Sequence, residues 1–525
     1  MSTRRLTRRS LLATTAGTMA GGLISPGGAL AALAGPPRPS LRTHWVGRLG
    51  PHGVTVELGE SADLVGVQWQ APAAAAIELR FRAQGGGWSS WAGAGGHGHG
   101  PDGAQARDEH IGDPLWAGGT TVVQLRASKA LKGVRLQLID ASGGRGARRL
   151  ALRQGPLALL ASLPTASPVL AAGAGQPPIL ARRGWAQGIS PPRVAPEYGD
   201  VRMAFVHHTE NPNGYSAAEV PAMLRAIYAF HRYVNGWNDI GYNFVIDLYG
   251  RIFEARAGGI DESVVGAHAG GYNFHSTGVA VLGSFTSVPI SAPAKSALQR
   301  LLAWKLSLHG LPSQGRVTVK VNPAGAVYSR FPANAQVSLP RIAGHRDGDS
   351  TDCPGDVLYG ELGGVRAAVA RLAPRPVRVT LALGVSTPSS ATTPAPETPT
   401  TPAPSGTSTT PEGPPPAPFP TLAGALTFLD GTPIAGATIV LQARTVSRKG
   451  EVVAEQPLAE VATDTQGQWS LPTTLPNAPA ALVWVRALCA GVGGYGSAVS
   501  PALRVQLSPA PAPVPTPPAT APPAG

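Results

Sequence analysis

The sequence predicts a multidomain chain in which a central α/β domain lies between two all-β domains. Three observations carry this. Residues 41–160 and 421–508 alternate polar and apolar positions in short runs broken by Gly-rich turns. Residues 182–373 instead mix strand-like runs with amphipathic helical patterns. Between the second and third units lies "STPSSATTPAPETPTTPAPSGTSTTPEGPPPAPFP" (386–420), whose Pro, Thr and Ser cannot build an apolar core.

The first 34 residues read as an export signal. Arg8 and Arg9 precede an uncharged run of Gly, Ala, Thr and Leu that closes on Ala32-Leu33-Ala34, a cleavage pattern for a twin-arginine signal. The run is weakly apolar, which suits a removable signal better than a retained anchor. No later stretch is long and apolar enough to span a bilayer. The mature chain is therefore expected outside the cell or on its wall. The net charge is +13, and removing the signal's four arginines and no acid leaves +9. Such a balance suits anionic wall polymers. It does not point to nucleic acid, because no Lys/Arg arm or nucleic-acid motif accompanies it.

In residues 41–160 the runs "VTVEL", "LVGVQW", "IELRFRA", "TVVQLRA" and "GVRLQLID" predict an antiparallel β domain. His97 and His99 sit in "GGHGHGPDG", read as a surface loop. Residues 161–181 are small and Pro-rich and read as a linker. In the middle domain "RMAFVHHTE" (202–210) is a short strand ending in His207 and His208, which must face opposite ways. "GYSAAEVPAMLRAIYAFHRYVNGW" is a helix with Ser216 and Glu219 as a capping box and Leu224, Ile227, Tyr228 and His231 on one face. "GYNFVIDLYGRIFEA" predicts a hairpin turning at Tyr249-Gly250, and "PAKSALQRLLAWKLSLHG" a second helix stopped by Gly310. Together these predict a mixed sheet with helices packed on it. Residues 374–420 are assigned to a linker, 421–508 to a small β-sandwich and 509–525 to a disordered tail.

The chemistry concentrates in "GHRDGDSTDCPG" (344–355), which holds one of only two cysteines. A disulfide between Cys353 and Cys489 would have to cross the Pro/Thr linker. A metal-bound thiolate explains the cysteine better, and Cys489, in "VRALCAG", reads as a buried thiol. Zinc accepts histidine nitrogen and cysteine sulfur, and a three-ligand site leaves a position for water. His345 and Cys353 need one more ligand, for which the strand-end His207 is the natural candidate. Asp347, Asp349 and Asp352 are alternative ligands, but read as solvated loop charges.

"FVHHTE", "WNDIGYNFVID", "GRIFEAR", "VVGAHAGGYN", "STGVAVLGSF" and "GHRDGDSTDCPGD" occur in that order. Together they resemble the peptidoglycan recognition protein/type 2 N-acetylmuramoyl-L-alanine amidase family over residues 182–373. The resemblance implies a mixed, mostly antiparallel sheet with flanking helices. It implies zinc held by His207, His345 and Cys353, with Tyr242 and Thr351 as catalytic residues. The implied reaction is metal-assisted hydrolysis of the amide between the lactyl group of N-acetylmuramic acid and L-alanine of the peptidoglycan stem peptide. His231, Gly236, Trp237, Arg256 and His268 fall on groove positions that bind the muropeptide. Gly236-Trp237 and Arg256 imply stems of the meso-diaminopimelate type, whose extra carboxylate an arginine can pair bidentately. Glu210 and Ser284 depart from the family's usual residues. A noncatalytic peptidoglycan-binding module is the alternative reading, and a closed structural zinc site in an adhesive wall protein a third.

Overall fold

The structure is a computed structural model that describes residues 38–70, 75–82, 86–94, 109–142, 175–187, 190–386, 419–446, 452–475, 482–491, 495–506 and 508–509. The signal, His97, His99, and most of both linkers and the tail lie outside the described residues.

The first domain is a single antiparallel sheet. Its strands are β1 (Ser40–Leu49), β2 (Val54–Gln70), β3 (Ile77–Phe81), β4 (Ala92–Gly93), β5 (Glu109–Ile111), β6 (Leu115–Ala127) and β7 (Leu131–Asp140). They run in the order β1-β7-β2-β6-β3-β4, with β5 on β2. The alternation read from the sequence places Val65, Val67, Leu79, Val123, Leu125, Leu136 and Leu138 in one core.

The middle domain is built on a six-stranded sheet. Its strands are β8 (Ile179–Leu180), β9 (Met203–His208), β10 (Phe244–Ile246), β11 (Ile252–Glu254), β12 (Ser276–Val281) and, after the hairpin β13 (Arg316–Lys320) and β14 (Gln336–Pro340), β15 (Ile342–Gly344). The order is β15-β9-β12-β10-β11-β8. Helices α1 (Arg182–Ala186), α2 (Val220–Ala229), α3 (Ala292–Leu308) and α4 (Asp356–Leu372) flank it. The expectation of a mostly antiparallel sheet is corrected here. β10 pairs with β12, β12 with β9, β15 with β9 and β11 with β8 in parallel, and only β10 with β11 is antiparallel. The reason lies in the connections: α2 separates β9 from β10 and α3 separates β12 from β15, and such crossovers return the chain in the same direction. Only the tight turn at Gly250, with φ +80°, reverses it. Ala204 and Val206 of β9 pack with α3 and α4, whereas Met203 and Phe205 face the other side, as a period of two requires.

The C-terminal strands form two larger sheets and one parallel pair, β22 (Thr474–Leu475) with β26 (Ser508–Pro509). β16 (Val377–Val379), β18 (Phe419–Phe428), β17 (Ala382–Ser386) and β21 (Gln468–Pro472) make one; β20 (Val452–Ala462), β19 (Thr438–Val446), β23 (Leu482–Cys489), β24 (Ala498–Val499) and β25 (Leu503–Gln506) make the other. Leu422, Leu426 and Trp469 of the first pack on Ile439, Leu441, Val485 and Ala487 of the second. β16 and β17 fall inside the stretch assigned to a linker, because "PVRVTLALGVS" precedes the Pro/Thr run and pairs with β18.

The three units share cores. Leu64, Trp116, Ile139 and Ala141 of the first domain pack against Tyr215, Val220, Leu224, Ile227 and Phe230 around α2. A Cβ on Gly66 would lie 2.1 Å from the Phe230 ring, so only glycine allows this approach. On the opposite side, Leu488 and Val499 join the core of α3 and α4. Among the described residues no helix is long and apolar enough to cross a membrane.

Candidate metal centre

β9 and β15 lie side by side with Val206 opposite Gly344, so the next residue of each strand, His207 and His345, emerges at the same level. Their ring centroids are 4.4 Å apart. The loop after His345 curls back: Arg346 N donates to the Cys353 carbonyl at 2.9 Å. His207, His345 and Cys353 thereby bring one ligand atom each within 4.8 Å of the others. All three are buried, at 1 %, 0 % and 5 % exposure.

The hydrogen bonds select the ring nitrogens. His345 Nε2 lies 2.9 Å from Asp349 Oδ2, and His207 Nε2 lies 3.1 Å from His268 Nδ1. Each ring therefore presents Nδ1 to the cluster, and His207 Nδ1 is 3.8 Å from Cys353 Sγ. Two imidazoles and one sulfur fit a borderline-soft cation, and a carboxylate behind a histidine is the partner that fixes its tautomer. Burial pushes the Cys353 thiol well above its ordinary value, while the His208 backbone N–H, 3.4 Å from Sγ, opposes this. A thiolate here calls for a cation beside it. Both cysteines are free and buried, so the disulfide alternative does not form.

His208 faces away from the cluster: its Nδ1 accepts from Phe285 N at 3.4 Å and its Nε2 lies 2.6 Å from Glu210 Oε1. Ser284 Oγ donates to Glu210 Oε2 at 3.0 Å, so the two departures from the family pattern are partners of one another.

Tyr242 is buried, with its ring 5.4 Å from His207 and 5.8 Å from His231. Burial first, then the Asp113 carboxylate, holds its phenol well above its ordinary value, so the hydroxyl stays a neutral donor. Thr351 Oγ1 accepts from Cys353 N at 3.1 Å. His231 sits in a π-helical turn, Phe230–Val234, that continues α2; its Nδ1 accepts from Gly241 N at 3.1 Å and its ring lies 4.5 Å from Trp237. Gly236 has φ +76°, which favours glycine, and a Cβ on Gly241 would meet the Ala267 carbonyl at 2.6 Å. His268 is fully buried behind His207. Arg256 stands apart from this group. Its Nη1 donates to Ile240 O at 2.9 Å, and it lines a separate cavity of about 190 Å³ with Glu197, Asn238, Asp239, Asn322 and Phe274.

Two site residues escaped sequence reasoning. Asp349, read as a solvated charge, is 1 % exposed and also accepts from Gly270 N at 3.0 Å. Its spacing of four from His345 was the available signal. Asp113 comes from the first domain and left no signal. With Pro114 it lines a cavity of about 10 Å³, room for roughly one water, shared with His208, Thr209, Ile227, His231 and Tyr242. Trp116 N donates to Asn211 Oδ1 at 2.6 Å and anchors this approach.

Residues 197–356 match the family described as N-acetylmuramoyl-L-alanine amidase, and residues 41–150 match one described as Rv3811 N-terminal galactose-binding domain-like. The N-acetylmuramoyl-L-alanine amidase of Homo sapiens is 31 % identical over 208 residues, covering 39 % of this chain. The match spans only 31 % of the human protein's length. Peptidoglycan-recognition protein SC2 of Drosophila simulans is 30 % identical over 159 residues, 30 % of this chain and 71 % of that protein. Among solved structures, wild-type Drosophila PGRP-LB is 26 % identical over 35 % of this chain and 92 % of that one, with a TM-score of 0.28.

Proposed function

Because the chain belongs to the peptidoglycan recognition protein/N-acetylmuramoyl-L-alanine amidase family, we propose that it is an exported zinc amidase. It hydrolyses the amide between the lactyl group of N-acetylmuramic acid and L-alanine of the stem peptide, outside the cell or at its wall. The observation that carries this reading is the convergence of His207, His345 and Cys353 beside the buried Tyr242. Bound there, a zinc ion would supply Lewis acidity and an activated water.

The chain's own residues do the rest. His268 and Asp349 hold the two ligand imidazoles in the tautomer that offers Nδ1. Tyr242, kept neutral, donates its hydroxyl hydrogen to the oxygen that gains negative charge as the amide is attacked. Thr351 Oγ1 accepts from Cys353 N, and its hydroxyl hydrogen would serve as a second donor to that oxygen. His231, Gly236 and Trp237 shape the muropeptide groove, and His268, fully buried, supports it only through His207. Arg256 pairs with the second carboxylate of meso-diaminopimelate, and its neighbours Asp239 and Glu197 suit that residue's ammonium. The basic surface favours anionic wall polymers as secondary contacts.

Purified sacculi incubated with the zinc-loaded chain test this. New L-alanine amino termini appear with the wild type and vanish with chelator or Cys353→Ser. A wild type that binds sacculi without releasing termini would instead establish the noncatalytic alternative, which the retained Cys353 and Tyr242 disfavour.

A further inference from the structure

β19 and β23 turn a polar face toward the catalytic domain, with Gln442 opposite Arg486 and Arg444 opposite Trp484. Arg444 donates to Glu262 Oε1 at 2.8 Å and Asp261 Oδ1 at 3.1 Å. Arg486 Nη1 reaches Asp261 Oδ2 at 2.5 Å and Glu262 Oε1 at 3.1 Å, while Gln442 Oε1 accepts from its Nη2 at 2.8 Å. All four charged residues are buried, none more than 5 % exposed. Lys305 Nζ closes the cluster from α3, donating to the carbonyls of Ile260 at 2.7 Å and Glu262 at 2.8 Å. Beside them Trp484 packs against Tyr198 at 6.1 Å, and Tyr198 donates to the Gly258 carbonyl at 3.2 Å.

What these groups hold is the connection from Arg256 to His268. It begins two residues after β11 and ends at His268 on His207, and Arg256, Ala257, Val265 and Gly266 wall the 190 Å³ cavity. Its middle carries Gly258 at φ +133° and Gly259 at φ +105°, a pair that gives an unrestrained loop wide freedom. A Cβ on Gly259 would lie 2.9 Å from Arg444 Nη1, so the arginine occupies the space against that glycine. A buried ion cluster returns little net stability for its desolvation, but it fixes geometry strongly.

We propose that Arg444 and Arg486 are positioning residues for the substrate groove. The C-terminal sandwich clamps residues 256–268 so that Arg256 and its cavity keep the shape that takes a stem-peptide side chain ending in a carboxylate and an amine. This rests on the amidase reading above. The sandwich is then part of the catalytic unit, acting on affinity for the stem rather than on bond cleavage.

The test uses the full, zinc-loaded chain with Arg444→Gln/Arg486→Gln. A second variant adds Asp261→Asn/Glu262→Gln, which removes the arginines and carboxylates together and leaves Lys305 on its two carbonyl partners. The readouts are hydrogen exchange of 256–268, calorimetric Kd for a diaminopimelate muramyl tetrapeptide, KM, kcat and zinc content. Exchange in 256–268 quickens, and Kd and KM rise about tenfold. kcat stays within about twofold, since the clamp touches no reacting group. Zinc content is unchanged, and Arg444→Lys/Arg486→Lys restores part of the affinity. Unchanged exchange and Kd in whichever variant folds overturn the proposal, as does a loss confined to melting temperature. If the wild type binds the tetrapeptide without cleaving it, the amidase reading fails while Kd and exchange still judge the clamp. No binding by the wild type overturns both.

Discussion

Replacing Asp349 by asparagine loosens the metal site without touching a ligand. Asp349 Oδ2 receives two donors, the Nε2 side of His345 at 2.9 Å and Gly270 N at 3.0 Å, and both residues of the His–Asp pair are buried. An asparagine keeps the shape and can set its carbonyl oxygen where Oδ2 accepts both donors, but it removes the negative charge that those donors face. A hydrogen bond to a charged group contributes about 1.5–3 kcal/mol and a neutral one about 0.5–1.5, so losing the charge costs about 1–1.5 kcal/mol. Loss of a carboxylate behind a ligating histidine costs about 10–100-fold in metal affinity, which converts to about 1.4–2.8 kcal/mol. The two estimates meet near one decade, so zinc Kd for Asp349→Asn should rise about tenfold. Competition between the apo chain and a chromophoric chelator measures it directly. Asp352→Asn, on the exposed side of the same loop, is the control and should leave the Kd unchanged. Equal affinity of Asp349→Asn and wild type, or an equal loss in Asp352→Asn, would refute the reasoning.

Tyr242→Phe removes one donor to the developing oxyanion, so kcat falls about 10²–10³-fold with KM and zinc content nearly unchanged, as steady-state kinetics and metal analysis can check. Arg486→Met leaves two buried carboxylates, Asp261 and Glu262, sharing Arg444 as their one arginine and lowers unfolding free energy by about 3 kcal/mol in denaturant titration. Burial pushes the Lys305 ammonium down to about 7 from 10.5. Between those values the unfolded chain binds a proton that the folded one does not, so this group's contribution to stability rises with pH from 7 to 10.5. Lys305→Met should flatten that rise in melting curves taken across the window.

The cluster of His207, His345 and Cys353 was legible because local signals mark it. His207 ends an apolar strand, Cys353 is a rare residue, and both lie within ordered motifs. Strand direction was not legible in the same way. "MAFVHH" and "STGVAV" read alike whether their neighbours run parallel or antiparallel, and only the helices between them decide it. Asp349 looked solvated because its loop is acidic and glycine-rich; burial came from Gly270 and His345, contacts that hydropathy cannot register. Arg444 and Arg486 lie in apolar, alternating strands where no local feature sets them apart from outward charges, and their partners Asp261 and Glu262 lie 183 and 224 residues away. Asp113 likewise reaches Tyr242 across a domain boundary. Whatever depended on which faces meet was beyond a reading of periodicity.

The most direct measurement is hydrolysis of one defined diaminopimelate muramyl peptide in water enriched with heavy oxygen, followed by mass spectrometry of the two products. Attack of water on the lactyl carbonyl puts one heavy oxygen on the lactyl carboxylate of the muramic acid and leaves an unlabelled peptide with a free L-alanine amine, both abolished in Cys353→Ser. Label on the peptide product, or an intact substrate with zinc-loaded wild type, would contradict it.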